Sequence, residues 1–212
     1  MTTKKKVCII TGSRADYGLL KLVIKEISES KVLDLKLLVT GTHLSPLFGN
    51  TYKEIEKDGF LISHKIDILK TENDIAYSMS KALTVFTEIF LNMRPDLVIV
   101  LGDRYEIFAA AIAAYISKIP IAHIHGGEST QGAFDEGFRH AITKMSYLHF
   151  ASTEIYKKRI IQLGESPDRV FNFGSPGIEA IKKIKLYNKE ELSKLLGISF
   201  GEKNILVTLH PE

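Results

Sequence analysis

The stretch DLVIVLGDRYEIFAAAIAAYISKIPIAHIHGG, residues 96–127, decides the fold class. It opens with a near-continuous apolar run, rich in β-branched side chains and closed by glycine, as expected of a parallel strand buried on both faces. A helical stretch, RYEIFAAAIAAYISK, follows, and then a second apolar run, IPIAHIHGG. Just upstream, Pro95 ends the preceding helical pattern, because proline has no amide hydrogen and restricts the residue before it.

The same alternation extends in both directions. Upstream, KVCIITG reads as a buried strand, and Leu19, Leu20, Val23, Ile24 and Ile27 recur at helical spacing after it. DLKLLVTG is a second strand, a short helix is expected near TYKEIEKDG, and HKIDIL is a brief third strand. The longest helical pattern runs over residues 73–93, with Tyr77, Phe86 and Phe90 on one face. Downstream come helix DEGFRHAITKMSYL, strand LHFAST, helix EIYKKRIIQLG, strand RVFNFGSPG and helix IEAIKKI. This rhythm predicts an α/β fold, a doubly wound parallel sheet of Rossmann-like type with helices on both faces. After Lys185 the texture turns polar and helical, and ILVTLHPE reads as the opening strand of a further unit that is cut short. The expected division is therefore a domain over 1–185 and the start of a second over 186–212.

Composition narrows the function classes. Of 212 residues, 45% are apolar and 25% charged, a balance that buries a real core. Basic residues number 28 against 25 acidic, so the formal charge of +3 leaves no broad footprint for nucleic acid. Cys8 is the only cysteine, which excludes an intrachain disulfide and a cysteine-rich zinc site. The apolar run after MTTKKK is too short for a signal peptide, and no segment is long enough to span a bilayer. A cytoplasmic protein without membrane partner is expected.

Ligands of open parallel sheets bind beyond the carboxyl ends of the strands. Those ends supply Gly12, Ser13, Arg14 and Asp16; Gly41, Thr42 and His43; Gly102, Asp103, Arg104 and Glu106; His125 to Glu128; and His210. TGSRADYG places glycine, serine and arginine before a helix, where free amides favour an anion, although it is neither a P-loop nor a dinucleotide fingerprint. Asp103 at the end of an apolar strand is placed for acid or base chemistry, or else caps the next helix. His123 and His125 are two apart, so on a strand they share a face, and with Glu128 and Asp135 they pose the question of a metal. No zinc-type spacing accompanies them, and no metal or cofactor is expected. Asp135 and Glu136 stand four residues before Arg139 and His140, the spacing of ordinary helix ion pairs.

Six motifs then carry a resemblance: TGSRADYG, VTGTHLS, VLGDRYEIFAAAIAA, HIHGGE, DEGFRHAITKMSYLHF followed by STE, and HPE. In that order they resemble the hydrolysing UDP-N-acetylglucosamine 2-epimerases of bacterial sialic acid pathways, and the related epimerases of legionaminic acid synthesis that act on a UDP-2,4-diacetamido-2,4,6-trideoxy sugar. The resemblance implies the first half of a two-domain architecture of glycosyltransferase-B type. It implies elimination of UDP from C1 with loss of the C2 proton, then hydration, which converts UDP-N-acetylglucosamine to N-acetylmannosamine and UDP. It implies catalytic roles for Asp103, Asp135, His125, Glu128 and His210. Gly12, Arg14, His43, Arg104, Glu136 and Arg139 would bind the UDP-sugar. His125 stands where several relatives have glutamate, so Glu128 is a candidate to share the third acid's role, with Glu136 a further one. A homodimer or higher homo-oligomer is implied, and inactivity of residues 1–212 alone. A glycosyltransferase of B type, sharing the fold and the UDP-sugar cleft, is the alternative enzyme class.

Overall fold

A computed structural model describes residues 3–69, 74–130 and 132–209. The chain divides into two compact units, Met1–Ala180 and Ile181–Glu212. Seven strands form one sheet in the first unit: β1 Lys5–Thr11, β2 Leu33–Thr40, β3 Ile62–Ile66, β4 Leu97–Leu101, β5 Ile121–Ile124, β6 Leu148–Ala151 and β7 Val170–Asn172. Their order is β3-β2-β1-β4-β5-β6-β7, and every neighbouring pair is parallel. The order reverses between β1 and β4, which opens a crevice at their carboxyl ends. The helices are α1 Arg14–Ser28, α2 Tyr52–Lys57, α3 Ile75–Met93, α4 Tyr105–Ile116, α5 Glu136–Met145, α6 Glu154–Gln162, α7 Pro176–Lys183 and α8 Lys189–Leu196. The doubly wound reading is correct.

Side chains alternate across a strand, so one sheet builds two cores. Cys8, Ile10, Val98 and Val100 pack with Phe86 and Phe90 of α3 and Ile107 of α4. Val7, Ile9, Ile99 and Leu101 face the other way, against Leu20 and Ile24 of α1 and Ile55 of α2. The alanine run of α4 explains how two helices share the first face. Ala109, Ala110, Ala111, Ala113 and Ala114 are all buried, and such short side chains let α3 approach. Phe86 and Phe90 are buried as expected and stack at 6.0 Å, whereas Tyr77, on the first turn of α3, stays 39% exposed and is no core residue.

In the second unit, α8 starts on a capping box of Asn188 and Glu191 and stops at Gly197 in the left-handed region. The strand expected in ILVTLHPE is absent over residues 205–209. A strand needs a ladder partner, and none is present there among the described residues. His210 lies outside the described residues.

Candidate active site

The tips of β4 and β5 carry the densest polar cluster, and glycines create the room for it. After β4, Gly102 turns the chain at φ +75, so the next residue, Asp103, leaves the line of the strand. Arg104, not Asp103, occupies the cap position of α4, and it makes no side-chain cap. The Asp103 carboxylate instead pairs with Arg139 of α5.

After β5 the chain turns more sharply. His125 takes φ +64, a left-handed conformation rare outside glycine. It therefore leaves the strand and shares no face with His123, contrary to the alternation expected of HIH. Gly126 lies against the His123 ring and Thr143, and a Cβ at Gly127 (φ +74) would strike the Tyr156 carbonyl of α6. The double turn brings Glu128 back onto His125, with Glu128 Oε1 3.1 Å from His125 Nδ1.

Arg139 is the hub. Its side chain is 9% exposed, and it pairs with Asp103 while its Nη1 stands 3.5 Å from Glu128 Oε2. The same Nη1 donates to the His125 carbonyl at 3.0 Å, holding the strained residue from below. The helix pair expected between Asp135 and Arg139 gives way to these contacts, since two desolvated carboxylates attract a guanidinium more than one at a helix start. Asp135 makes no capping hydrogen bond, and its charge acts on Asp103. Glu136 does form its helix pair, with His140 Nε2 at 3.5 Å, and accepts from Ser129 Oγ and the Thr130 amide. Its part is to tie the 129–130 loop to α5.

The two carboxylates on Arg139 are driven apart. Burial lifts Asp103 above the usual carboxylate range, helped by the charges of Asp135 and Glu128 and opposed by Arg139. Burial also acts on Glu128, but hydrogen bonds from His125 and Ser152 and the charge of Arg139 bring it below its ordinary value. Carboxyl groups with separated affinities for a proton are what acid–base chemistry on one substrate requires.

A second cluster stands where β1, β2 and β4 end. Glu106 is fully buried; Arg104 Nε donates to its Oε1 at 2.5 Å, while Oε2 has no hydrogen-bond partner among the described residues. Glycine is required opposite it. A Cβ at Gly12 would collide with Glu106 Oε1, and one at Gly41 would come within 2.9 Å. Asp16 accepts from the Gly12 amide at 3.3 Å, and burial raises it to about 6. Arg14, at the first position of α1, is exposed and reaches Glu54 at 3.3 Å.

His43 is built into the fold. It is fully buried, its ring nitrogens 3.0 Å from Thr11 Oγ1 and 2.7 Å from Thr51 Oγ1, so it bolts β2 to β1 and the α2 entry. Burial depresses it to about 4, and His123 to about 3. His123 Nε2 donates to the Gly102 carbonyl at 2.8 Å, and its Nδ1 stands 3.1 Å from Thr143 Oγ1, whose single hydrogen is shared with the Arg139 carbonyl at 3.0 Å. Both imidazoles bind a proton in the unfolded chain near 6.5 and in the fold only well below it, so stability falls as pH drops from about 6.5 towards 4. Asp16 and Asp103, raised by burial, act in the opposite sense. The contribution is therefore read by difference. His43→Gln loses less stability than the parent between pH 7 and pH 4.5 in urea unfolding, and an identical acid slope in both would contradict the assignment.

Two hydroxyls were not anticipated. Ser152, after β6, donates to Glu128 Oε1 at 2.7 Å, and Ser175, after β7, lies 3.4 Å from His125 Nε2. The strand-end rule that singles out Asp103 applies equally to the STE and GSPG that follow those strands.

The UDP-N-acetylglucosamine 2-epimerase family model matches residues 25–212. The chain belongs to that family. It is 46% identical over 212 residues to the GDP/UDP-N,N'-diacetylbacillosamine 2-epimerase (hydrolyzing) of Campylobacter jejuni subsp. jejuni serotype O:2, covering 99% of this chain and 55% of that one. It is 47% identical over 211 residues to polysialic acid biosynthesis protein P7 of Escherichia coli, covering 98% and 54%. Among solved structures, the UDP-GlcNAc 2-epimerase of Neisseria meningitidis bound to UDP-GlcNAc superposes with a TM-score of 0.76 at 25% identity, over 84% of this chain and 48% of that one. The chain thus spans about half the length of the family members it matches. No helix among the described residues is long and apolar enough to cross a membrane.

Proposed function

We propose that the full-length protein is a hydrolysing UDP-sugar 2-epimerase. It would remove UDP by elimination across C1 and C2 and add water to give the free 2-epimer. The observation that carries the reading is the pair of carboxylates on Arg139, Asp103 raised and Glu128 lowered, with Asp135 and His125 beside them. A carboxylate whose proton affinity burial raises is a stronger base towards a carbon-bound proton and can return it, the task at C2. The departing diphosphate needs positive potential, which Arg14 and the amides at the start of α1 offer. Arg104, held by Glu106, adds a second cation in the crevice. Gly12 gives the ligand close access to backbone. His210 is a further candidate for the diphosphate, and a homo-oligomer is the expected assembly.

Two substrates compete. UDP-N-acetylglucosamine is the one the motifs bring forward. A UDP-2,4-diacetamido-2,4,6-trideoxy sugar is brought forward by relatives at 46% and 40% named for diacetylbacillosamine, and the relative at 47%, named for polysialic acid biosynthesis, keeps the sialic acid route beside it. Incubating the full-length protein with each sugar nucleotide and no acceptor decides it. The expected result is UDP plus free N-acetylmannosamine, or a 2-epimeric diacetamido sugar, by NMR, and the faster reaction identifies the substrate. UDP released only when an acceptor sugar is added would contradict the proposal in favour of a glycosyltransferase.

A further inference from the structure

Ser175, His125 and Glu128 stand in a row: hydroxyl, imidazole, carboxylate. His125 Nε2 is 3.4 Å from Ser175 Oγ, and His125 Nδ1 is 3.1 Å from Glu128 Oε1. Behind Glu128 stand two further donors, Ser152 Oγ at 2.7 Å on Oε1 and Arg139 Nη1 at 3.5 Å from Oε2. The row joins the tips of β5, β6 and β7, and each member is held. Arg139 fixes the His125 backbone through its carbonyl. Gly174 at φ +83 turns the chain before Ser175, and Gly177 after it packs so closely on Leu19 that a Cβ would come within 2.8 Å.

Direction follows from the donor inventory. An ionised carboxylate only accepts, so His125 Nδ1 carries the hydrogen that faces Glu128. Nε2 is then a lone pair, and the Ser175 hydroxyl is its donor. A hydroxyl that gives its hydrogen to an imidazole backed by a carboxylate has oxygen lone pairs ready to take another proton. The elimination step takes its proton at C2, whereas the hydration step needs a group to take a proton from water, and the Ser175 hydroxyl is the member of the row that the C2 chemistry leaves free for it.

We propose that Ser175 is a proton-relay residue, passing a proton from the water that adds to the sugar on to His125 Nε2. The inference rests on the epimerase reading. In the hydration step the π pair of the C1–C2 double bond forms the new C2–H bond with a proton from a carboxyl group, and the water oxygen bonds to C1. The water O–H bond breaks, its proton goes to Ser175 Oγ, and the Ser175 hydroxyl proton moves to Nε2. The resulting imidazolium faces ionised Glu128 and later returns its proton to solvent with the departing UDP.

The test uses the full-length protein turning over whichever UDP-sugar it accepts, with Ser175→Ala, Ser175→Thr, His125→Gln and the double variant Ser175→Ala/His125→Gln. Ser175→Ala is expected to lower kcat by about 100-fold, the scale of a lost proton-transfer group, with KM and the thermal midpoint close to the parent's. Ser175→Thr, which keeps the hydroxyl, recovers most of the rate. The double variant is no slower than His125→Gln alone, because the two residues act as one unit. Parental kcat in Ser175→Ala, a rate no better in Ser175→Thr than in Ser175→Ala, or losses that multiply in the double variant would each overturn the relay while leaving the epimerase reading intact. No UDP release from either sugar by the parent protein would overturn both.

Discussion

Asp103→Asn in the full-length protein lowers UDP release by about three orders of magnitude, within the range of a lost general base. The substitution is nearly isosteric, and its carbonyl oxygen can still accept from Arg139, so the scaffold survives. What disappears is the proton affinity. Asp103 is raised because the β4 tip is partly desolvated and because Asp135 and Glu128 are near, and an amide has no such basicity to raise. Thermal melting serves as the control, with a midpoint close to the parent's. Unchanged turnover would remove Asp103 from the chemistry and leave its pairing with Arg139 as plain architecture.

Arg139→Met costs about 3–5 kcal/mol of stability, the scale for removing one partner of a buried ion pair. Methionine fills much of the volume, so the loss is electrostatic: Asp103 and Glu128 are left facing each other without their shared cation, and the His125 carbonyl loses its donor. The sign with pH is specific. Without the guanidinium both carboxyls bind protons more tightly in the variant's fold than in the parent's, so acidification favours the variant relative to the parent and the deficit shrinks between pH 7 and pH 5. Urea unfolding at the two pH values measures this. A deficit below about 1 kcal/mol at pH 7, the worth of an exposed pair, would mean that Arg139 is not the hub of the cluster.

Much of the fold is legible before any coordinates, because its periodicities are strong. Residues 96–127 read as strand, helix, strand from apolar runs and one alanine-rich stretch, and the same alternation carries to β7. Where the reading departs from the structure, the reason is partnership. Residues 205–209 have the composition of a strand, but strandedness requires a neighbour and none is there among the described residues. Tyr77 has the spacing of a core residue but sits on the first turn of α3, where the sheet no longer covers it.

The site is legible as a set of strand tips and illegible as a set of pairs. Asp103, His125 and Glu128 are singled out by their place at strand ends, and Asp135 by the resemblance. That Arg139 would leave Asp135 for Asp103 and Glu128 depends on how α5 lies across two strands, which local spacing does not encode. His43 has the position of a ligand and the surroundings of a bolt, since Thr11 and Thr51 come from elements 32 and 8 residues away. Ser152 and Ser175 fall at strand ends like the rest, but a lone serine carries no chemistry until an imidazole or a carboxylate stands beside it.

The central claim is that acid and imidazole groups from separate strand tips handle one proton at C2 of a UDP-linked sugar. Running the full-length protein to completion in deuterium oxide tests it most directly, with NMR and mass spectrometry of the freed sugar. The account predicts one solvent deuterium at C2 and inverted configuration there. A released sugar with protium retained at C2 and its configuration unchanged would contradict it.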